Sequence, residues 1–285
     1  MLLTLTASCV RGLLGSGGKG KKGTARLDLA DLPRFVREEM LLSGLNLTTD
    51  LLAGADRSRL EGIRERADRV SCACLLLIEP EPQDLVSEVG TGVQRLVRVV
   101  EAGHILGCTA VAVRLQAKDQ DEVMALVATR LRPVMERAEK LDMNLLIAPH
   151  TGLTERAERV TELLKKVGGF RVGTFPDFEA ASKAKDPGAY LHRLTPYATV
   201  VSASTIEFAA TGKKAAEPSI EAFEKGAWVH KPYDLKSYVT AIRAVGYDGP
   251  LGIDYRGTGD VTMGVRRSRE ALLAALGGLS AVEGL

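Results

Sequence analysis

The sequence is poor in the residues that metal clusters, disulfide scaffolds and membrane spans require. Histidine occurs four times, scattered as His104, His150, His192 and His230, which argues against a multi-metal centre rich in His and Glu. Cysteine also occurs four times, as Cys9, Cys72, Cys74 and Cys108, without a CxxC pair or the Cys/His spacing of a zinc site. A disulfide framework is not expected in a chain of this size, and a reduced, cytoplasmic setting fits. Charge of one sign is lacking too. The formal net charge is +2, with no acidic or basic tail, so no global field recruits nucleic acid or a membrane surface. No run approaches the ~20 apolar residues of a membrane helix. The N-terminal Met1–Cys9 faintly suggests a lipoprotein signal, but it lacks a basic leader and its apolar stretch is short. It reads as a first strand.

What is present is the balance of a soluble globular chain: 285 residues, 45% apolar and 26% charged. That length suits one α/β barrel, which typically uses roughly 250 residues. Short β-rich runs alternate with longer amphipathic ones. The spacing predicts strands over 2–8, 44–49, 71–78, 109–116, 144–148, 171–175, 199–204 and 250–255. Helices are predicted over 29–42, 57–70, 92–106, 121–141, 154–167, 187–197, 235–245 and 261–276. Such alternation implies a parallel sheet with crossover helices. Asp31 before Pro33 signals a helix start, as does Thr154-Glu155, and Pro133 should kink the helix from Asp121. Gly107, Gly168 and Gly246 fall just past helix ends, where a left-handed residue is wanted. No linker divides the chain, so residues 1–285 read as a single (β/α)8 TIM barrel. An open doubly wound sheet is the alternative, disfavoured because no glycine fingerprint follows strand one.

The loop Gly15–Thr24 satisfies GxxxxGK from Gly15 to Lys21, but Lys22 stands where a phosphate-binding loop needs Ser or Thr. It reads as a solvated loop, with Lys19, Lys21 and Lys22 able to close on an anion.

In a barrel, site residues cluster at the strand C-termini. Alternation puts Leu146, Ala148 and His150 on one face of strand five. Asp177 and Asp254 come from the ends of strands six and eight, and the three polar groups together suit a hard cation or acid–base work. Arg114 and Arg256 also have inward periodicity, and each reads equally as an anion clamp or as an internal ion pair with Asp177 or Asp254. Glu207 lies just beyond strand seven, where it could replace a lost acid. His230, Lys231 and Asp234 read as loop polarity or a lid, and Trp228 and Tyr233 as packing beneath it or a sugar-facing wall.

Four stretches carry a family resemblance: Leu145–Gly152, Val172–Phe178, Leu194–Ser202 and above all Gly246–Tyr255, which reads GYDGPLGIDY. They resemble, in order, the sugar phosphate isomerase/epimerase family of xylose isomerase-like TIM barrels. The resemblance implies a sugar or sugar phosphate substrate, proton transfer through an enediol, and one divalent ion (Mn, Mg or Zn) bound by Glu, Asp, His or Gln, and Glu. The corresponding positions here hold Ala148, Asp177, Ser202 and Asp254, so one ligand is preserved and one shortened. Ser204 stands where related chains often place Lys. With this depleted set the ion is either held by Asp177, Asp254 and a recruited His150, or absent.

Two functions follow from the same residues. In the first, an isomerase or epimerase uses Asp254 and His150 for proton transfer, with Arg114, Arg256, Ser202, Ser204 and Glu207 holding the sugar. In the second, a non-catalytic carbohydrate-binding or regulatory barrel has lost the metal chemistry. A third, an abasic-site endonuclease of related fold, is opposed by the sparse histidines and the near-neutral charge. The partner in the leading readings is a small sugar or sugar phosphate, with homo-oligomerisation open.

Overall fold

A computed structural model describes residues 1–15, 27–87, 91–210 and 228–277. The Gly/Lys loop beyond Gly15 lies outside them. The barrel strands are β1 (Leu3–Thr6), β2 (Gly44–Thr48), β3 (Ala73–Asp84), β4 (Ala110–Gln116), β5 (Asn144–Ile147), β6 (Val172–Thr174) and β7 (Val201–Thr205). Next come a short hairpin of β8 (Phe208–Ala210) and β9 (Trp228–His230), and the last barrel strand, β10 (Leu251–Tyr255). The helices are α1 (Leu32–Glu38), α2 (Arg57–Arg69), α3 (Gly92–Ile105), α4 (Asp121–Lys140), α5 (Ala157–Val167), α6 (Phe178–Lys183), α7 (Pro187–Leu194), α8 (Leu235–Ala244) and α9 (Val261–Ala275).

All eight barrel strands run parallel in the order β6-β5-β4-β3-β2-β1-β10-β7. Single bridges, Thr174 with Ala198 and Asp177 with Ser202, join β6 to the approach of β7 and close the ring. Closure needs a glycine at this seam: a Cβ on Gly173 would lie 2.3 Å from the Tyr197 carbonyl oxygen. The expected α/β barrel is what the chain forms.

Strand alternation sorts the side chains into two cores. Outward residues such as Leu5, Leu45, Val111, Leu145, Val201 and Ile253 pack beneath the helices. Inward residues divide the barrel interior. One half is apolar, built from Leu76, Ile78, Ala110, Ala112, Leu146, Ala148, Phe175 and Val200. The other half is polar, with Thr4, Thr6, Asn46, Thr48 and Ser202 all buried. Asn46 Nδ2 donates to Thr4 Oγ1 at 3.0 Å, in space left by Gly252, whose Cβ would meet that nitrogen at 2.6 Å.

Several local expectations change. Asp31 makes no cap hydrogen bond: its carboxylate pairs with Arg66, and Asp28 caps the preceding 3₁₀ turn instead. Helix α5 starts at Ala157 rather than Thr154, whose hydroxyl donates to the His150 carbonyl. Pro133 does not interrupt α4, whose buried stripe includes Val127, Leu131, Val134 and Ala138. Strand β3 runs to Asp84, past a register shift at Pro80 and Pro82, which lack the N–H a regular ladder needs. Gly107, Gly168 and Gly246 do take positive φ. No described helix is long and apolar enough to cross a membrane.

Candidate active site at the mouth of the barrel

A cavity of about 980 Å³ opens at the C-terminal ends of the strands. Its walls include Thr6, Ser8, Arg114, Ala148, His150, Asp177, Tyr190, Ser202, Asp254 and Arg256. Several arrive by one rule, since alternate residues on an extended chain share a face: Asp254 in β10 with Arg256 just past its end, Ala148 and His150 just past β5, and Arg114 within β4.

Asp254 and Arg256 are therefore neighbours by construction. Arg256 Nε donates to Asp254 Oδ2 at 2.9 Å, and Nη2 lies 2.7 Å from the same oxygen. The guanidinium also forks onto Asp177, with Nη2 to Oδ2 at 2.6 Å and Nη1 to Oδ1 at 3.2 Å. Nη1 reaches Glu179 Oε2 at 2.7 Å as well. Burial alone would lower the guanidinium's pKa, but Asp177 and Asp254 outweigh it and raise it. All three donor nitrogens are committed to carboxylates. The anion-clamp reading of Arg256 is thus replaced by the internal ion pair, made with both aspartates at once.

Asp177 is equally occupied. Besides the fork, its Oδ1 caps α6 by accepting from the Ala180 N–H at 2.9 Å and lies 3.3 Å from the Ser204 hydroxyl. Ser204 is fully buried, accepts from the Glu179 N–H and contacts Tyr233, so it positions Asp177 and does not face the cavity. Asp254 keeps one oxygen less engaged: among the described residues Oδ1 has a single contact, from the Ser8 hydroxyl at 3.4 Å. Burial is the main reason its pKa is raised above 3.8, with Asp177 adding to the rise and Arg256 opposing it.

Across the cavity, His150 is half-buried, and burial followed by the charge of Arg114 lowers its pKa below 6.5. Both effects favour the uncharged ring near pH 7. Arg114 Nη1 donates to the Pro80 carbonyl at 3.1 Å, at the bulge in β3, and among the described residues pairs with no carboxylate. Its charge bears on both His150 and Asp254. Glu207 is elsewhere: it pairs with Lys231, about 61% exposed, and does not line the cavity. His230 is buried and bonded to the Ile206 N–H and the Tyr233 carbonyl. Asp234 caps α8, and Trp228 stacks under Arg267.

The residues do not fit a divalent ion. Among the described residues no three His, Cys, Asp or Glu side chains are placed to share one. Ala148 has no ligating atom, and His150 does not join Asp177 and Asp254 as a ligand set.

Glu179 and Tyr190 were not anticipated. Glu179 follows Asp177 on α6, a short helix whose Asp-x-x-Ala start is a capping signal that was legible. Tyr190, on α7, puts a buried hydroxyl with no described partner in the cavity wall, and Thr6 and Thr48 do likewise.

The sequence model of the family described as xylose isomerase-like TIM barrel matches residues 55–275. No curated protein is similar enough in sequence to count as a match. Among solved structures, L-ribulose 3-epimerase superposes with a TM-score of 0.72 at 14% identity, covering 96% of this chain and 95% of that one. The 3-keto-D-glucoside 4-epimerase from E. coli gives 0.69 at 12% identity, over 95% and 98%. The IOLI protein with a bound zinc atom gives 0.68 at 13%, over 97% and 98%. At such identities these likenesses show the fold alone. The family match spans most of the sequence, and the chain belongs to the xylose isomerase-like TIM barrel family.

Proposed function

We propose that the protein is a sugar or sugar phosphate isomerase/epimerase-type enzyme that moves a proton through an enediol. The observation that carries this reading is Asp254: a buried carboxylate with one oxygen tethered by Arg256 and the other turned to a cavity shared with a neutral histidine. The solved epimerases with the same fold support it.

Asp254 Oδ1 takes the proton from the hydroxyl-bearing carbon beside a carbonyl. The C–H pair becomes the C=C of the enediol, and the carbonyl pair moves to oxygen. His150, neutral, delivers its ring proton to that oxygen and recovers one from the adjacent hydroxyl as the new carbonyl forms. Asp254 returns its proton to the former carbonyl carbon. A carboxylate base beside a neutral imidazole electrophile suits such a transfer. Because Ala148 stands where a second acid would be, one base serves both carbons, and a 1,2-shift between aldose and ketose is favoured over two-base epimerisation. Arg114, with no carboxylate partner described, holds a phosphate or carboxylate of the substrate. Ser202, Tyr190 and Thr48 face the hydroxyls.

The test is a panel of aldoses, ketoses and their phosphates incubated with the protein in D₂O. Deuterium uptake at the carbon beside the carbonyl, followed by NMR, is expected for at least one member. Ligand binding without exchange across the panel would favour the non-catalytic barrel, which Ala148 and the engaged carboxylates also permit.

A further inference from the structure

We propose that Arg256 is the resident cation of this mouth, its guanidinium occupying the place where a barrel of this layout would hold a divalent ion, so that the protein binds no such metal there. The side chains present suffice for this, whichever sugar is used.

Asp177 and Asp254 are the two acids that remain at the positions the resemblance assigns to ligands, and the guanidinium lies between them with contacts of 2.6 to 3.2 Å. A divalent ion bridging both carboxylates would sit within a few ångströms of a positive charge that is never lost near neutral pH. The acceptor capacity is also used. Asp177 already receives the fork, a helix N–H and a hydroxyl, and Asp254 Oδ2 receives two nitrogens. Planarity matters here: a guanidinium presents donors in a fixed fork that can join two carboxylates edge-on, whereas an ammonium cannot. The arrangement is written into the end of β10, where Asp254 lies in the strand and Arg256, just past it and still bonded to the Thr205 carbonyl, is two positions on and shares the inward face. Glu179 at the start of α6 takes the remaining Nη1 contact and keeps the side chain turned inward, 30% exposed. Ala148 and Ser202 complete the set, one without a ligating atom and the other with a weakly ligating hydroxyl.

The experiment measures metal, not turnover. Wild-type protein purified without chelator is analysed for elements, and its thermal midpoint is followed with Mn²⁺, Zn²⁺ and Mg²⁺. Far less than one equivalent and no shift are expected. Arg256→Ala leaves Asp177 and Asp254 without their cation and Glu179 with Lys183 alone, and is expected to start unstable and to gain roughly 5 °C or more with Mn²⁺. If that variant does not fold, Arg256→Lys keeps a charge without the fork and is expected to fold and still ignore Mn²⁺. About one equivalent of metal in the wild type, lost in Asp177→Ala, would overturn the proposal. So would an Arg256→Ala protein that folds and shows no metal-dependent stabilisation.

Discussion

Arg256 and Asp177 lie 79 positions apart in sequence, yet form the two-pronged ion pair at the centre of the mouth, at 2.6 and 3.2 Å. Removing one partner of a buried pair costs about 3–5 kcal/mol. Because the Arg256 side chain is 30% exposed, the lower end applies, and Arg256→Ala should lose about 3 kcal/mol. For a chain of this size that lowers the thermal midpoint by roughly 6–12 °C. Calorimetry checks it, and an unchanged midpoint would mean that solvent already screens the pair.

Asp254→Asn separates chemistry from support. Arg256 keeps Asp177 and Glu179, so stability should change by less than about 1 kcal/mol. Proton exchange should fall by about 10²- to 10⁴-fold, the usual worth of a positioned acid–base group. Exchange rate and unfolding free energy, measured on the same preparation, test the two halves.

His150 sets the acid limb. Its pKa in the fold is lowered below 6.5 by burial and then by Arg114, so the unfolded chain binds the proton more tightly. Stability from this group is therefore present above about pH 6.5 and lost as pH falls through the folded value. Activity should fall over the same window, because the protonated ring adds a positive charge to the mouth that weakens Asp254 as a base. In His150→Gln the acid-side fall of the rate should disappear, while that of stability should shrink to what His230, whose pKa burial also lowers, still contributes, which paired pH titrations of rate and of thermal midpoint will show.

Arg114 and Tyr190 are expected to act on binding. A charge-assisted hydrogen bond contributes about 1.5–3 kcal/mol, so Arg114→Gln should raise KM about 10- to 150-fold for a substrate carrying phosphate or carboxylate. A neutral sugar should bind nearly as before. Tyr190→Phe removes a buried hydroxyl without a described partner, so the fold should be no less stable while KM rises about 2- to 10-fold. Steady-state kinetics that moved kcat alone would count against both roles.

Much of this is legible in the sequence. Alternation tells which side chains face inward, and the run Gly252–Arg256, GIDYR, puts Asp254 and Arg256 together at the last strand end. The limit was partner choice. Periodicity shows that Arg256 points inward but not whether it meets a ligand or an acid, because its main partner lies 79 residues away. Asp31 failed as a cap because Arg66, 35 residues on, competes for its carboxylate. Glu207 looked like a replacement acid by nearness in sequence, yet the chain turns into β8 there and gives it to Lys231. Glu179 was missed because α6 is six residues long, too short to show a period.

The most direct measurement is solvent-deuterium uptake into a ketose or ketose phosphate, by NMR, in D₂O with excess EDTA. Exchange by the wild type is expected to persist in EDTA and to be abolished by Asp254→Asn. Exchange that stops with EDTA and returns with Mn²⁺ would contradict it, and so would exchange that survives Asp254→Asn.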